Sequence, residues 1–501
     1  MSVPKLILLS ILVSLSAIAA TGHPPQSSLL VPRFEDSKCV VKVPDSEKGS
    51  VRCGYLVVRE NRERKNSRTL KLPIIILKSS SRNAEPDPVL RTLGGPGASS
   101  LRMISGRRFS PWLNNRDLVI FEQRGTRYTE PNLDCFEVGA VRVENAKTNI
   151  TGREAVEREV KAAKTCYARL IKSGTDLSGY DSMQSAADIE DLRQVLGYSQ
   201  WNLYGVSYSA RLMLNVMRDH PNGIRSVVLE SVLPTSVNYD EVGVDGAVRS
   251  LDLFFANCEA EATCSKAYPN LQQSFYDLVS GANREPIELK VKSAGTNEKV
   301  SIRINGDDII TWLLDYVLSA DREAILAGPI QIRRLLDGDF TPLNLYVEDK
   351  LSPGGYMLGM RFSVWCREEM PFESQQKIAA QARRYRNLMG YEIQPALLAT
   401  CDVWKVGRAK PRENQPVRSN IPTLVLGAEY DAYTPPAWGQ LVAKNLKHSY
   451  FFEVPQVGHG PGFSSSCARS VIAEFFNNPH AAPNSSCLNQ RQKFVVPTVT
   501  Q

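Results

Sequence analysis

The sequence predicts an α/β protein, in which a mostly parallel sheet is covered on both faces and interrupted by a helical insertion. Three observations predict it. Apolar strand-like runs alternate with helical stretches through the first half. A helix-rich segment follows, from about residue 236 to 416, and after Pro416 the strand–helix alternation returns.

Residues 55–58, 70–77, 89–93, 117–121, 201–204 and 224–229 are β-branched or apolar runs, several closed by turn residues, and are expected strands. Residues 154–170 and 185–196 carry apolar positions at helical spacing between them. Such alternation implies parallel strands joined by crossover helices. Within the insertion, residues 244–261, 306–318 and 321–336 are expected helices and strands are sparse. Strands return at 423–426 and 450–454, each followed by a polar loop and then a helix. The expected organisation is a core in two parts, 39–235 and 417–490, with a helical cap at 236–416 between the sixth and seventh core strands. Tails are expected at 21–38 and 491–501, and no internal repeat or low-complexity segment is present.

The 501 residues are 43% hydrophobic and 23% charged, enough for a large core and more than a single small domain needs. The net charge of +7 is modest for this length, and the densest basic stretch, 59–68, is interleaved with Glu60 and Glu63. It reads as a solvated loop, and a nucleic-acid partner is not expected. Lys5 precedes an apolar run over 6–20 in which Ala17-Ile18-Ala19 offers small residues to a signal peptidase. The run is short for a bilayer span, so export to the periplasm or the exterior is expected, with an uncleaved anchor as the alternative. No stable membrane insertion is expected after signal cleavage. Ten cysteines, an even number without a CxxC pair, disfavour zinc and thioredoxin-like chemistry. In an oxidising compartment they would pair. Proximity suggests 39–53, 135–166, 258–264, 366–401 and 467–487, although proximity alone does not fix connectivity. Asn149-Ile150-Thr151 and Asn484-Ser485-Ser486 are formal glycosylation sites in a eukaryotic host.

Gly205-Val206-Ser207-Tyr208-Ser209 lies between an expected strand and an expected helix, the context of a nucleophile elbow in the α/β-hydrolase fold. The bend demands small residues two before and two after the serine, and its strained backbone lifts the hydroxyl above the sheet. A serine hydroxyl needs a base. Of five histidines, His23 lies in a tail, His220 ends a helix, His448 precedes a strand and His480 sits in a Pro/Asn-rich stretch. His459 alone stands in a glycine-flanked loop after a strand, where the Ser–acid–His order of this fold puts the base. The acid follows the preceding strand, and Asp431 fits best, with Glu429 as runner-up. For the oxyanion, the N–H of Tyr208 and one from Leu93-Gly94-Gly95-Pro96-Gly97 are expected, Gly95 favoured and Gly94 possible.

With these motifs the chain resembles the secreted branch of the prolyl aminopeptidase and tripeptidyl aminopeptidase family of α/β-hydrolases. Gly94-Gly95-Pro96-Gly97 matches its HGGPG loop with Leu93 in place of His, and Glu122-Gln123-Arg124-Gly125-Thr126 resembles its DQRG(T/S) segment, followed by Arg127 where the family often has Gly. The elbow matches with Ser209 in place of Gly, and Cys401-Asp402-Val403-Trp404 and Gly458-His459-Gly460 resemble the C-terminal region of the tripeptidyl branch. The resemblance spans about residues 39–487. It implies a serine peptidase that hydrolyses short peptides from their N-terminus through an acyl-enzyme, with no metal or organic cofactor. Recognition of a free amine then calls for carboxylates, and Glu368 and Glu369 in the cap resemble a Cys/Glu segment of the family. A carboxylesterase or lipase on the same fold is the alternative, and a non-catalytic secreted binder a further one.

Overall fold

The computed structural model describes residues 31–44, 50–104, 114–292 and 299–497. The described residues from Pro32 onward form one compact unit. The signal peptide expected at 1–20 lies outside the described residues.

Nine strands form one sheet in the order β1-β2-β3-β5-β4-β6-β7-β10-β11: β1 (Arg33–Asp36), β2 (Val51–Arg59), β3 (Thr69–Leu77), β4 (Val89–Thr92), β5 (Leu118–Phe121), β6 (Trp201–Val206), β7 (Ile224–Glu230), β10 (Thr423–Ala428) and β11 (Ser449–Val454). From β5 through β11 every pairing is parallel, and β1, β2 and β3 pair antiparallel at one end. This is the α/β-hydrolase fold. The central strands β4, β5, β6 and β10 are buried at every position, because helices cover both faces, and so they read as largely apolar runs, interrupted by Arg91 and Thr92 in β4 and Asn202 in β6. The edge strand β1 is short and charged, which blunts it.

The eight core strands expected from sequence are all present, with ends moved by a few residues. The differences have physical causes. Arg33–Asp36, expected in a tail, pairs with Asp36 opposite Gly54, where a side chain would strike the Phe34 ring and the Glu35 carbonyl. The segment expected as a C-terminal tail is also packed: Phe494 is buried, its N–H donates to Glu261, and the Val495 N–H donates to the Leu326 carbonyl. The basic stretch 59–68 is a loop exposed over residues 63–66, as expected, and is anchored at both ends. Arg68 pairs with buried Glu60, and Arg62 reaches Asp188 and Asp191.

Between β7 and β10 lies the helix-rich segment, with a core of its own that includes Phe254, Phe275, Trp312 and Ile332. It also holds an antiparallel hairpin, β8 (Ile287–Lys292) with β9 (Lys299–Ile304), which the sequence reading missed. The helix expected at 306–318 is α-helical over Gly306–Trp312 and continues as π-helix over Leu313–Leu318. The one expected at 321–336 is broken into Arg322–Leu326 and Gly328–Leu336, with Pro329 opening the second. The five disulfides join Cys39–Cys53, Cys135–Cys166, Cys258–Cys264, Cys366–Cys401 and Cys467–Cys487, the proximity pairs. Among the described residues no helix is long and apolar enough to cross a membrane.

Candidate active site

Four loops leave the carboxyl ends of β4, β6, β10 and β11, where parallel sheets place their ligands. The loop after β6 is a sharp bend. Ser207 has φ 62° and ψ −128°, a strained conformation for a residue with a Cβ, and the helix Tyr208–Asp219 starts directly after it. Its N–H donates to the Glu230 carbonyl at 3.0 Å, tying the bend to β7. Gly205 is glycine for cause, since a Cβ there would lie 2.4 Å from the Ser209 carbonyl oxygen. Ser209, where the resembled motif has glycine, is fully buried and useful. Its hydroxyl accepts the Val206 N–H at 2.8 Å and lies 2.9 Å from the Thr92 carbonyl, stitching the elbow to the end of β4.

The loop after β4 runs against the serine. A Cβ on Gly94 would lie 2.7 Å from the Val206 oxygen and 3.0 Å from both Ser207 Cβ and Tyr208 N. Gly95 has φ 112° and precedes a cis proline. Tyr208 opens its helix, so its N–H has no intrahelical acceptor. The Gln123 amide braces the loop by donating to the Leu93 carbonyl at 2.6 Å. Beside it, Arg124 is wholly buried and forms a two-point pair with Asp188 at 2.7 and 2.6 Å. The Glu122–Thr126 segment is therefore scaffold for the loop.

Asp431, at the end of β10, is fully buried and accepts the N–H groups of Tyr433 and Thr434 at 3.0 and 2.9 Å and the Thr434 hydroxyl at 2.8 Å. His459 Nδ1 lies 2.9 Å from its Oδ2. Burial would raise the Asp431 pKa. The charge and hydrogen bond of His459 and the Thr434 N–H outweigh it and hold the carboxyl below its ordinary value. For His459, burial acts downward and Asp431, followed by Glu230 and Asp315, acts upward, with a net rise. The His459 loop is clamped on both sides. A Cβ on Gly458 would lie 2.1 Å from the Leu318 oxygen, and the Gly460 N–H donates to Ser231 at 2.9 Å. The runner-up acid Glu429 is engaged elsewhere, by Arg491 at 2.8 Å and the Gln456 N–H at 2.8 Å.

Ser207, Tyr208, Gly94, Gly95 and His459 line one cavity of about 470 Å³. It adjoins a larger cleft of about 1110 Å³, and Asp315, Tyr356, Arg361, Gln394 and Tyr433 line both. Glu368 and Glu369 are not among the lining residues of either cavity, which corrects the expectation that they face the substrate. Glu368 accepts the N–H and hydroxyl of Ser182, each at 2.6 Å, and Glu369 pairs with buried Arg211 at 2.6 Å. They are core carboxylates, pushed up to about 7 mainly by burial.

Three residues escaped the sequence reading. Asp315 is the carboxylate among the described lining residues of the smaller cavity, on the π-helical turn and bonded by the Tyr433 hydroxyl. An acid inside the apolar run 313–318 was its one visible signal. Glu230 ends β7 fully buried, accepting the Gly462 N–H and the Tyr204 hydroxyl, both at 2.8 Å. Arg361 donates to the Gly95 carbonyl at 2.6 Å. Nothing in the local sequence marks the last two.

Residues 387–487 match the family described as TAP-like protein. A tripeptidyl aminopeptidase of Streptomyces lividans is 23% identical over 253 residues, 47% of each chain. The match thus spans about half the length of that relative. The serine protease Hip1 of Mycobacterium tuberculosis is 22% identical over 430 residues, 82% of this chain and 81% of that one. Among solved structures, the proline iminopeptidase of Mycobacterium smegmatis aligns over 82% of this chain and 96% of its own at 12% identity and a TM-score of 0.38. A thermophilic esterase of Thermogutta terrifontis aligns over 85% and 99% at 13% and 0.36. The sheet order makes the chain an α/β-hydrolase-fold protein, and its sequence relatives include named peptidases.

Proposed function

We propose that this protein is an exported serine peptidase that releases short units from the N-terminus of peptides through an acyl-enzyme. Ser207 is the nucleophile, His459 the general base and then acid, and Asp431 the group that orients and stabilises the imidazolium. The N–H groups of Tyr208 and Gly95 take the developing oxyanion. The observation that carries this reading is the buried Asp431–His459 pair at 2.9 Å on the wall of the cavity that a strained Ser207 also lines.

The proton path follows from the pair. A carboxylate at Nδ1 leaves Nε2 free to accept the serine proton, which then passes to the leaving amine. The aminopeptidase part is supported by the names of the relatives and by Asp315, a carboxylate open to the cavity that suits a substrate ammonium. Five disulfides support an oxidising compartment. The test is a panel of chromogenic amides with free and blocked amines, with a Ser207→Ala control. Preference for the free amine, lost with the serine, is expected. Equal rates on both would remove the aminopeptidase assignment. Turnover of nitrophenyl esters without amide cleavage would favour an esterase, a reading to which the apolar walls Leu233, Trp365 and Phe463 lend some support.

A further inference from the structure

We propose that Arg361 binds a carboxylate of the substrate, so that the site selects peptides carrying a negative charge near the wall between the serine chamber and the outer cleft. The inference rests on the peptidase reading above and adds the chemistry of the substrate to it.

Arg361 lies on the helix Leu358–Glu368 and lines both cavities. Its Nη1 donates to the Gly95 carbonyl at 2.6 Å, its Nη2 to Gln394, and the guanidinium sits 5.3 Å from the centre of the Trp365 ring. A guanidinium has five N–H donors, so these two bonds leave three for other acceptors. Two other arginines line the outer cleft. Arg142 is paired with Glu159 at 2.8 Å and Arg153 with Glu157 at 2.7 Å. Arg361 has no carboxylate within 4.0 Å among the described residues.

Asp240, which accepts the Trp365 indole N–H at 2.7 Å, acts on Arg361 only through space, and a cation partly withdrawn from water without a directly paired carboxylate is under-compensated. Burial pushes the Arg361 pKa down and outweighs the upward pull of Tyr356, Tyr239 and Asp240. Its two neutral partners hold the fork rigid, and a fixed planar fork is matched by a carboxylate. Asp315, the carboxylate on the chamber wall, is bonded by the Tyr433 hydroxyl and makes no ion pair with Arg361, so the matching carboxylate is the ligand's. The carboxylate has two sources in a short peptide, the C-terminus or an acidic side chain. Asp315, facing the same two cavities and pushed up to about 7 by burial, is the complementary group for the ammonium of such a peptide, whose charge would favour its ionised form.

Two pairs of short free-amine peptides separate the sources, one pair ending in carboxylate or carboxamide, the other with Glu or Gln inside an amidated peptide. In the wild type, kcat/KM is expected to favour the acid of at least one pair by about ten-fold or more, mainly through KM. The pair that responds identifies the source. In Arg361→Gln the ratio is expected to fall to about one, and in Arg361→Lys to an intermediate value. If Arg361 only braces Gly95, kcat falls for every substrate alike and the ratios persist, which overturns the proposal. A wild type indifferent in both pairs also overturns it, whether or not either variant folds. If no peptide is cleaved, the peptidase reading fails first. Competition of N-acyl amino acids, as acids and as amides, against phosphonate labelling of Ser207 then reads Arg361 alone, and equal protection by both overturns the proposal.

Discussion

Replacing Gly94 by alanine tests whether the loop after β4 is held against the nucleophile to serve the oxyanion. The added Cβ would meet the Val206 carbonyl at 2.7 Å, where ordinary contact begins at 3.4 Å. That oxygen is backbone at the end of a fully buried strand, so it cannot yield. The glycine loop must retreat instead, by about 0.7 Å, carrying the Gly95 N–H with it. Misplacement of about 1 Å in an aligned site costs about 10²-fold, and complete loss of one oxyanion donor about 10²–10³-fold. We therefore expect Gly94→Ala to lower kcat about 30- to 300-fold with little change in KM, since the donor acts mainly on the transition state. Turnover of a short ester and of an amide would be measured alongside a thermal melt. Activity within three-fold of wild type, in a variant that melts normally, would refute the placement of the oxyanion site against Gly94.

The same geometry has consequences for pH dependence and for stability. With His459 raised by Asp431, the acid limb of kcat/KM should have its midpoint above the ordinary histidine value of 6.5, because the base must be neutral. Asp431→Asn should move that midpoint down and cut kcat by about 10⁴ by the triad precedent, and an unshifted limb in the variant would break the pairing argument. The same shifts give the stability sign. The raised His459 contributes fully below its unfolded pKa and loses its contribution as pH rises through the folded one. The lowered Asp431 contributes above its unfolded pKa and loses its contribution as pH falls through the folded one. Ser209→Ala strands the buried Val206 N–H and should cost about 1–3 kcal/mol, read by urea unfolding, and a neutral result would make the stitch to Thr92 idle. Arg124→Met leaves Asp188 with Arg62 alone and should cost about 3–5 kcal/mol, checked by the same denaturation.

The core strands were legible because strands covered on both faces are mostly apolar, which leaves a mark in any single stretch of chain even where a buried Arg91 or Asn202 interrupts it. Strands without that covering were not. The edge strand β1 is polar and carries no apolar run. The β8–β9 hairpin does alternate, with Ile287, Leu289 and Val291 facing Val300, Ile302 and Ile304 between polar residues, but six-residue stretches inside a helix-rich segment stand out less than the long apolar runs of the core. Ser207, Asp431 and His459 could be nominated singly because each sits where a strand ends in a turn of defined chemistry, and five histidines permit elimination. Glu368 and Glu369 misled because acidity in a cap says nothing about direction. The Ser182 hydroxyl and Arg211, 186 and 158 positions away in sequence, turn them into the core.

Sequence alone thus carried the strand–helix order and nominated three side chains at turn positions, since both are written in local pattern and in what a bend allows, whereas the cysteine pairing needed the fold. Tertiary structure alone decided which charges face the cavity. Asp315 and Arg361 are separated from Ser207 by more than a hundred residues and enter its wall only because the insertion folds back over the sheet. Whether a buried charge is paired or free depends on partners supplied by other elements, and no local stretch of sequence records that.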